Sequence, residues 1–130
     1  MKRIVILIVL SALGLILAAC GGGGGAGAGA GGAAGSYDTQ FPLPNSVSNF
    51  TASADGAINF QTKMSIEDAI AFYRDALASA GLTERTINTA ITETTFSLVF
   101  DGDPSGKALV VQGVDLGNGT TNVNIRYEDV

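Results

Sequence analysis

The chain has no histidine, and its 130 residues include a single cysteine, Cys20. Losing histidine removes the commonest general base, and with it the Ser–His–Asp triad and the Cys–His nucleophile pair. Most zinc sites are excluded as well, because they draw on His and Cys. Basic residues are also scarce, with seven Lys plus Arg against twelve Asp plus Glu. Beyond Lys2 and Arg3, the cations Lys63, Arg74, Arg85, Lys107 and Arg126 are spread singly along the chain. Affinity for nucleic acid needs a clustered basic footprint against phosphates, so nucleic acid is not an expected partner. The same acidity disfavours adhesion of the domain itself to anionic lipid.

Few catalytic routes survive these absences. A Ser–Lys dyad would need Ser65 beside Lys63 or Ser105 beside Lys107, but Ser65 reads as a helix cap and Ser105 as a turn former. Paired carboxylates can act as acid and base, yet the acids here fall mainly in turns and on the solvent side of a helix. The stretch Gly102–Lys107 has neither the glycine spacing of a phosphate loop nor the Ser or Thr after lysine. The expectation is a chain that is not an enzyme and carries no cofactor.

One acidic pattern bears on metal. Asp101-x-Asp103-x-Ser105-Gly106 matches the opening of a calcium loop, in which oxygen ligands at alternate positions surround the ion and glycine permits the bend. Asp101, Asp103 and Ser105 are therefore the candidate metal ligands. The twelfth position is Gln112 in place of a bidentate Glu, and both flanks read as strands. Asp, Pro, Ser and Gly are also ordinary turn formers, and a hairpin turn is the preferred reading.

What the chain does have begins at its start. Lys2 and Arg3 precede an apolar stretch from Ile4 to Leu17, and small residues follow at Ala18 and Ala19 before Cys20. These are the charged, apolar and cleavage regions of a secretory signal. Sixteen residues from Ile4 to Ala19, broken by Ser11 and Gly14, fall short of the roughly 20 that a membrane span requires. Leu17-Ala18-Ala19-Cys20 resembles the lipobox of bacterial lipoproteins. The resemblance implies that residues 1–19 are a signal peptide removed on export. It also implies that Cys20 becomes the first residue and carries diacylglycerol and palmitate-type fatty acid. The protein would then be membrane-anchored through Cys20 on the extracytoplasmic side, and two acyl chains suffice for stable anchoring.

Between Gly21 and Gly35 there are ten glycines and five alanines and nothing else. No side chain in this tract can bury useful apolar area, and every glycine costs backbone entropy to order. Residues 20–35 are expected to be the lipidated cysteine and a flexible tether, about 20–23 Å in r.m.s. span. Cleavage before Cys20 leaves five basic residues against twelve acidic ones, a net charge of −7.

Residues 36–130 suffice for a single globular domain. Phe41-Pro42-Leu43-Pro44 is extended by its prolines, with Phe41 and Leu43 placed on the rim. Val47–Ser53 and Ala57–Thr62 read as strands joined at Asp55-Gly56, a two-residue type I′ hairpin signal. Ser65 opens a helix whose apolar stripe is Ile66, Ile70, Tyr73, Leu77 and Ala80, ended by Gly81. Leu82–Asn88 is a weaker strand. Thr94–Asp101, Lys107–Val114 and Thr121–Tyr127 show alternation or an apolar run. Burying these stripes predicts an α+β fold, one amphipathic helix packed on a four- to six-stranded antiparallel sheet as a two-layer sandwich.

The segment Ile58–Leu82, through Phe72, Tyr73, Leu77 and Gly81, also resembles modules of small exported bacterial lipoproteins of unknown function. That resemblance implies no catalytic residues. The functional expectation is a lipid-anchored envelope or cell-surface interaction module without catalytic activity. Its partner would be an envelope protein or extracellular ligand, met by the sheet face or an edge strand. The alternative is a small-ligand or calcium-binding extracytoplasmic module.

Overall fold

A computed structural model describes residues 36–129; the expected signal peptide, Cys20 and the Gly/Ala tract lie outside the described residues. Helix α1 spans Ile66–Ser79 and starts where Ser65 accepts a hydrogen bond from the Asp68 amide at 3.1 Å. Glu67 and Asp68 occupy its positive first turn. The helix ends because Gly81 adopts φ 89°, letting Gly81 donate to the Ala78 carbonyl and Leu82 to the Leu77 carbonyl, both at 3.0 Å. This pair of bonds is the Schellman closure. Ile66, Ala69, Ile70, Tyr73 and Leu77 are buried. Ala80, expected on the stripe, is exposed because it is the cap residue beyond the last buried turn.

Among the described residues seven strands form one antiparallel sheet: β1 (Ser48–Ala52), β2 (Ile58–Thr62), β3 (Thr83–Glu84), β4 (Ala90–Ile91), β5 (Thr95–Asp101), β6 (Ala108–Asp115) and β7 (Thr121–Glu128). Their order is β1-β2-β7-β6-β5-β3, and β4 also pairs with β5. One helix and an antiparallel sheet make an α+β fold, as expected among the described residues. The count of seven exceeds the expected four to six through β4, two residues in a Thr-rich segment where no apolar alternation marks a strand. The strand expected over Leu82–Asn88 shrinks to β3, followed by a 3-10 turn at Thr86–Asn88.

The β1–β2 hairpin forms, but its turn is not type I′. That turn needs two central residues at positive φ, whereas Gly56 (φ 87°) has it and Asp55 does not. The loop is instead the longer Ala54-Asp55-Gly56, closed by Gly56 N–H to the Ser53 carbonyl at 2.9 Å. The Asp55 carboxylate accepts from the Ser53 hydroxyl at 2.5 Å and the Ala57 amide at 3.3 Å, holding its carboxyl below the usual range.

The helix side of the sheet is the core. Ile58 and Phe60 of β2, Phe96, Leu98 and Phe100 of β5, Leu109 and Val111 of β6, and Val123 and Ile125 of β7 are buried with the helix stripe. Fully burying each such side chain is worth about 1.5–3 kcal/mol. Gly113 is required by close approach, because a Cβ there would lie 2.1 Å from the Phe96 ring. Phe41, expected on the rim, is 6 % exposed and belongs to this core.

The chain enters along an extended strap, residues 36–47, that is pinned at several points. Tyr73 donates its hydroxyl to the Pro42 carbonyl at 3.1 Å, and Gln40 Nε2 donates to the Tyr127 hydroxyl at 2.9 Å. Ser46 Oγ meets Thr62 Oγ1 at 2.9 Å and accepts from the Lys63 amide at 2.9 Å. Buried Thr121 donates to the Met64 carbonyl at 2.8 Å, so both buried threonines are satisfied. Among the described residues no helix is long and apolar enough to cross a membrane.

Candidate functional site: the polar sheet face

Strand alternation sends every second side chain away from the helix. Register then gathers residues distant in sequence into one transverse row: Thr51 opposite Asn59, Asn59 opposite Asn124, Asn124 opposite Gln112, and Gln112 opposite Ser97. Gln61 and Asn122 face each other in the adjoining row. The side chains form a connected lattice. Asn59 and Asn122 exchange reciprocal amide bonds at 3.2 and 2.9 Å, and Asn49 Nδ2 donates to Gln61 Oε1 at 2.8 Å. Arg126 Nη1 donates to Gln112 Oε1 at 2.7 Å and Asn124 Oδ1 at 2.9 Å. Gln112 Nε2 donates to Ser97 Oγ at 3.3 Å, and Arg126 Nε to Glu128 Oε1 at 2.7 Å.

Each amide offers both donors and acceptors, so a half-exposed array of them presents hydrogen-bonding groups at fixed spacing. Mutual bonding holds the side chains in place before any ligand arrives. Val110 is buried on this same face, opposite Arg126 on one side and Val99 on the other. A long arginine stem covers apolar surface in this way.

Neither edge of the sheet is a clean strand. Asn49 has φ 49° and the β1–β2 register shifts between Ser48 and Thr51, a bulge-like break. At the other edge, the 3-10 turn separates β3 from β4. Bulges and very short edge strands blunt pairing with another chain.

The candidate calcium residues point to different partners. Asp101 accepts from Arg85 Nε at 2.9 Å and from Nη2 at 2.5 Å, and this ion pair holds its carboxyl below the usual range. Asp103 accepts from the Ser105 amide at 2.8 Å and from the Tyr127 hydroxyl at 3.1 Å. Bonding to Ser105 lowers the Asp103 carboxyl, while burial and then Asp103 raise the Tyr127 hydroxyl. Asp101 lies on the partly exposed face with Ser97 and Val99, whereas Tyr127 alternates in step with Val123 and Ile125. The two carboxylates are thus drawn to opposite sides of the sheet. Ser105 Oγ accepts from the Lys107 amide at 3.3 Å, the bond of a turn former. Among the described residues no group of three or more His, Cys, Asp or Glu is placed to hold a metal ion.

Of the lysines considered for dyads, Lys107 Nζ pairs with Asp129 at 2.8 Å, and Ser65 serves as the helix cap. Cys20 lies outside the described residues. The polar lattice was only half visible in the sequence. Asn59 and Gln61 mark a polar side of β2, but their union with Asn122 and Asn124 depends on β2 pairing with β7, a contact spanning 63 positions. The usable signal was the repeat Asn122-x-Asn124-x-Arg126, polar at every second residue. The chain matches no protein-family model, no curated protein and no solved structure.

Proposed function

We propose that this chain is a lipid-anchored, extracytoplasmic interaction module without catalytic activity, held to its membrane through Cys20. Leu17-Ala18-Ala19-Cys20, set directly after the apolar stretch, carries this reading. Its globular part is a two-layer α+β sandwich with an amphipathic helix, whose polar sheet face meets an envelope protein. The face is favoured over an edge strand because Asn49 at one edge and the 3-10 turn at the other interrupt the ladder. The amide lattice supports the same choice, since it offers directional hydrogen bonds from side chains already held in position. The calcium alternative gains no support from the Asp101–Ser105 turn, where Arg85, Ser105 and Tyr127 already engage both carboxylates.

The test is labelling with an alkyne analogue of palmitate in a bacterium that processes lipoproteins. Wild-type chain is expected to take the label and to remain with membranes after a high-salt wash. Cys20→Ser is expected to lose both. Membrane retention of an unlabelled Cys20→Ser chain overturns the anchor. Crosslinking of the wild-type lipoprotein in native membranes then identifies the partner, and Asn59→Asp with Asn122→Asp is expected to abolish its capture.

A further inference from the structure

Four large apolar side chains are exposed among the described residues: Ile87, Ile91, Val114 and Leu116. Ile91 lies opposite Phe96, and Val114 opposite Thr95, at the start of β5. Ile87 is the extreme case at 89 % exposed, inside the 3-10 turn Thr86–Asn88.

That turn is firmly held. On its N-terminal side Arg85 pairs with Asp101 through two bonds, and the Arg85 amide donates to the Val99 carbonyl at 2.7 Å. On its other side Thr89 donates to Glu84 at 2.6 Å, and Glu84 is itself clamped by Arg74 at 2.8 and 2.9 Å. Two bidentate ion pairs therefore keep an isoleucine pointing into solvent when a flexible loop would let it fold back. From Thr86 to Thr92 the sequence is Thr-Ile-Asn-Thr-Ala-Ile-Thr, without a charge.

We infer that Ile87 is a membrane-contact residue, dipping into the interfacial region of the zwitterionic bilayer that holds the Cys20 anchor. This rests on the anchored reading above. A single apolar side chain cannot found a stable protein interface, which buries roughly 1,600 Å² in all. Against a bilayer it need only orient a domain that the anchor already keeps at high local concentration. The distances agree. The chain enters beside β1, where the Tyr37 ring stacks on Phe50 with centroids 4.4 Å apart, and Ile87 sits at the opposite sheet edge. Five strand steps at about 4.8 Å separate those edges by about 24 Å. A Gly-rich coil of 15 residues, the tether expected from the sequence, would span about 20–23 Å r.m.s., enough for one membrane surface to hold Cys20 and receive Ile87. The missing charge between Thr86 and Thr92 avoids desolvating an ion on contact. The net acidity of the domain, with Glu93 just beyond the turn, selects zwitterionic over anionic lipid.

The chain has no tryptophan, so Ile87→Trp provides a sole tryptophan, excited at the red edge where the tyrosines do not absorb. Processed full-length lipoprotein carrying Ile87→Trp is reconstituted in phosphatidylcholine vesicles whose acyl chains are brominated. Thr51→Trp, on the opposite edge, is the comparison, and Thr86→Trp is a second reporter within the turn. Flotation of the protein with vesicles reads the anchor, and quenching reads the contact. The expected result is flotation of all variants, with emission from positions 86 and 87 quenched at least threefold more than from position 51. Replacing phosphatidylcholine by phosphatidylglycerol is expected to reduce that quenching. Flotation with equal quenching at all three positions overturns the contact and leaves the anchor standing. Failure to float overturns the anchor, and the contact with it.

Discussion

The two faces of the sheet are built from the same strands by opposite means. On the helix side Phe60, Leu98, Val111 and Val123 are fully buried, and the contacts are dispersive and tightly packed. On the other side Asn59, Asn122, Asn124, Gln112 and Arg126 are half-exposed and tied by directional bonds. Apolar burial is concentrated on the first face, and directional hydrogen-bonding groups on the second. The difference shows how a small domain can bury one sheet face and leave the other polar and partly exposed. A single helix and an inlet strap suffice to cover the buried one.

The sharpest way to break the comparison is to carry a deletion of similar size across it. Phe60→Ala removes a fully buried ring from the centre of the covered face. It is expected to cost about 3–5 kcal/mol in urea unfolding, the usual range for such a cavity. Asn59, the neighbouring residue on β2, points the other way. Asn59→Ala deletes two hydrogen bonds to a half-exposed partner that water can rehydrate, and is expected to cost about 0.5–1.5 kcal/mol. Equal losses would show that the polar lattice is a structural element and would undercut the contact role proposed for it.

Overpacking tests the covered face from the other direction. Gly113→Ala would place a methyl 2.1 Å from the Phe96 ring, so the ring must move. A loss of about 1–3 kcal/mol is expected. Combining it with Phe96→Leu should recover part of that loss, read as non-additivity in a double-mutant cycle. Strict additivity would mean that Phe96 and Gly113 do not interact as described.

Much of the covered face was legible in sequence because its determinants are local. Ser65 and Gly81 bracket the helix, and the alternations in β2, β5 and β7 each declare a buried side within a few residues. The polar face was harder to read, since alternation marks which residues face away but not which strands adjoin. Only the placement of β2 against β7 brings Asn59 to Asn122, and no local residue encodes that neighbour. The β1–β2 turn was misjudged through Asp55, whose side-chain bonds to Ser53 and Ala57 stabilise a longer loop with negative φ. The edge strands were obscured by threonines, which suit a strand, a turn or a loop. Ile87 is a single apolar residue among threonines, and nothing beside it in the sequence marks it as exposed. Its exposure depends on ion pairs to Asp101 and from Arg74 that sequence spacing does not reveal.

Titration separates the faces more finely. Burial raises the Tyr73 hydroxyl far above its ordinary 10.0, so the folded state favours the neutral form. That stability is complete below pH 10 and is lost as the pH rises above it. Tyr73→Phe should therefore flatten the alkaline limb of a stability profile, at a cost near neutrality of about 0.5–1.5 kcal/mol for the bond to Pro42. Acid acts on exposed pairs. Arg74 lowers Glu84 below its ordinary 4.5, and Arg85 lowers Asp101 below 3.8. Their contributions are present above those values and lost as the pH falls through the lowered ones. Glu84→Gln should weaken the acid limb while leaving the alkaline limb unchanged. An alkaline limb that survives Tyr73→Phe at full steepness would assign it to another group.

The smallest effect expected is the response to calcium, and it depends on the Asp101–Ser105 turn. A cation there would need both carboxylates turned inward. Asp101 is held by two bonds from Arg85, and Asp103 by Ser105 and Tyr127 from the other side of the sheet. Calcium ligation takes six to eight oxygens, so at least the guanidinium and the phenol must first be displaced. Millimolar calcium is accordingly expected to leave the melting temperature of wild type unchanged. Arg85→Ala together with Tyr127→Phe frees the Asp101 carboxylate and leaves Asp103 only its local bond from the Ser105 amide. If that double variant gains a saturable thermal shift, the partners suppress a latent site. If it gains none, the turn geometry itself separates the two oxygens too far for one ion. A shift already present in wild type would reverse the assignment, making the turn a metal site and the ion pair with Arg85 its resting state.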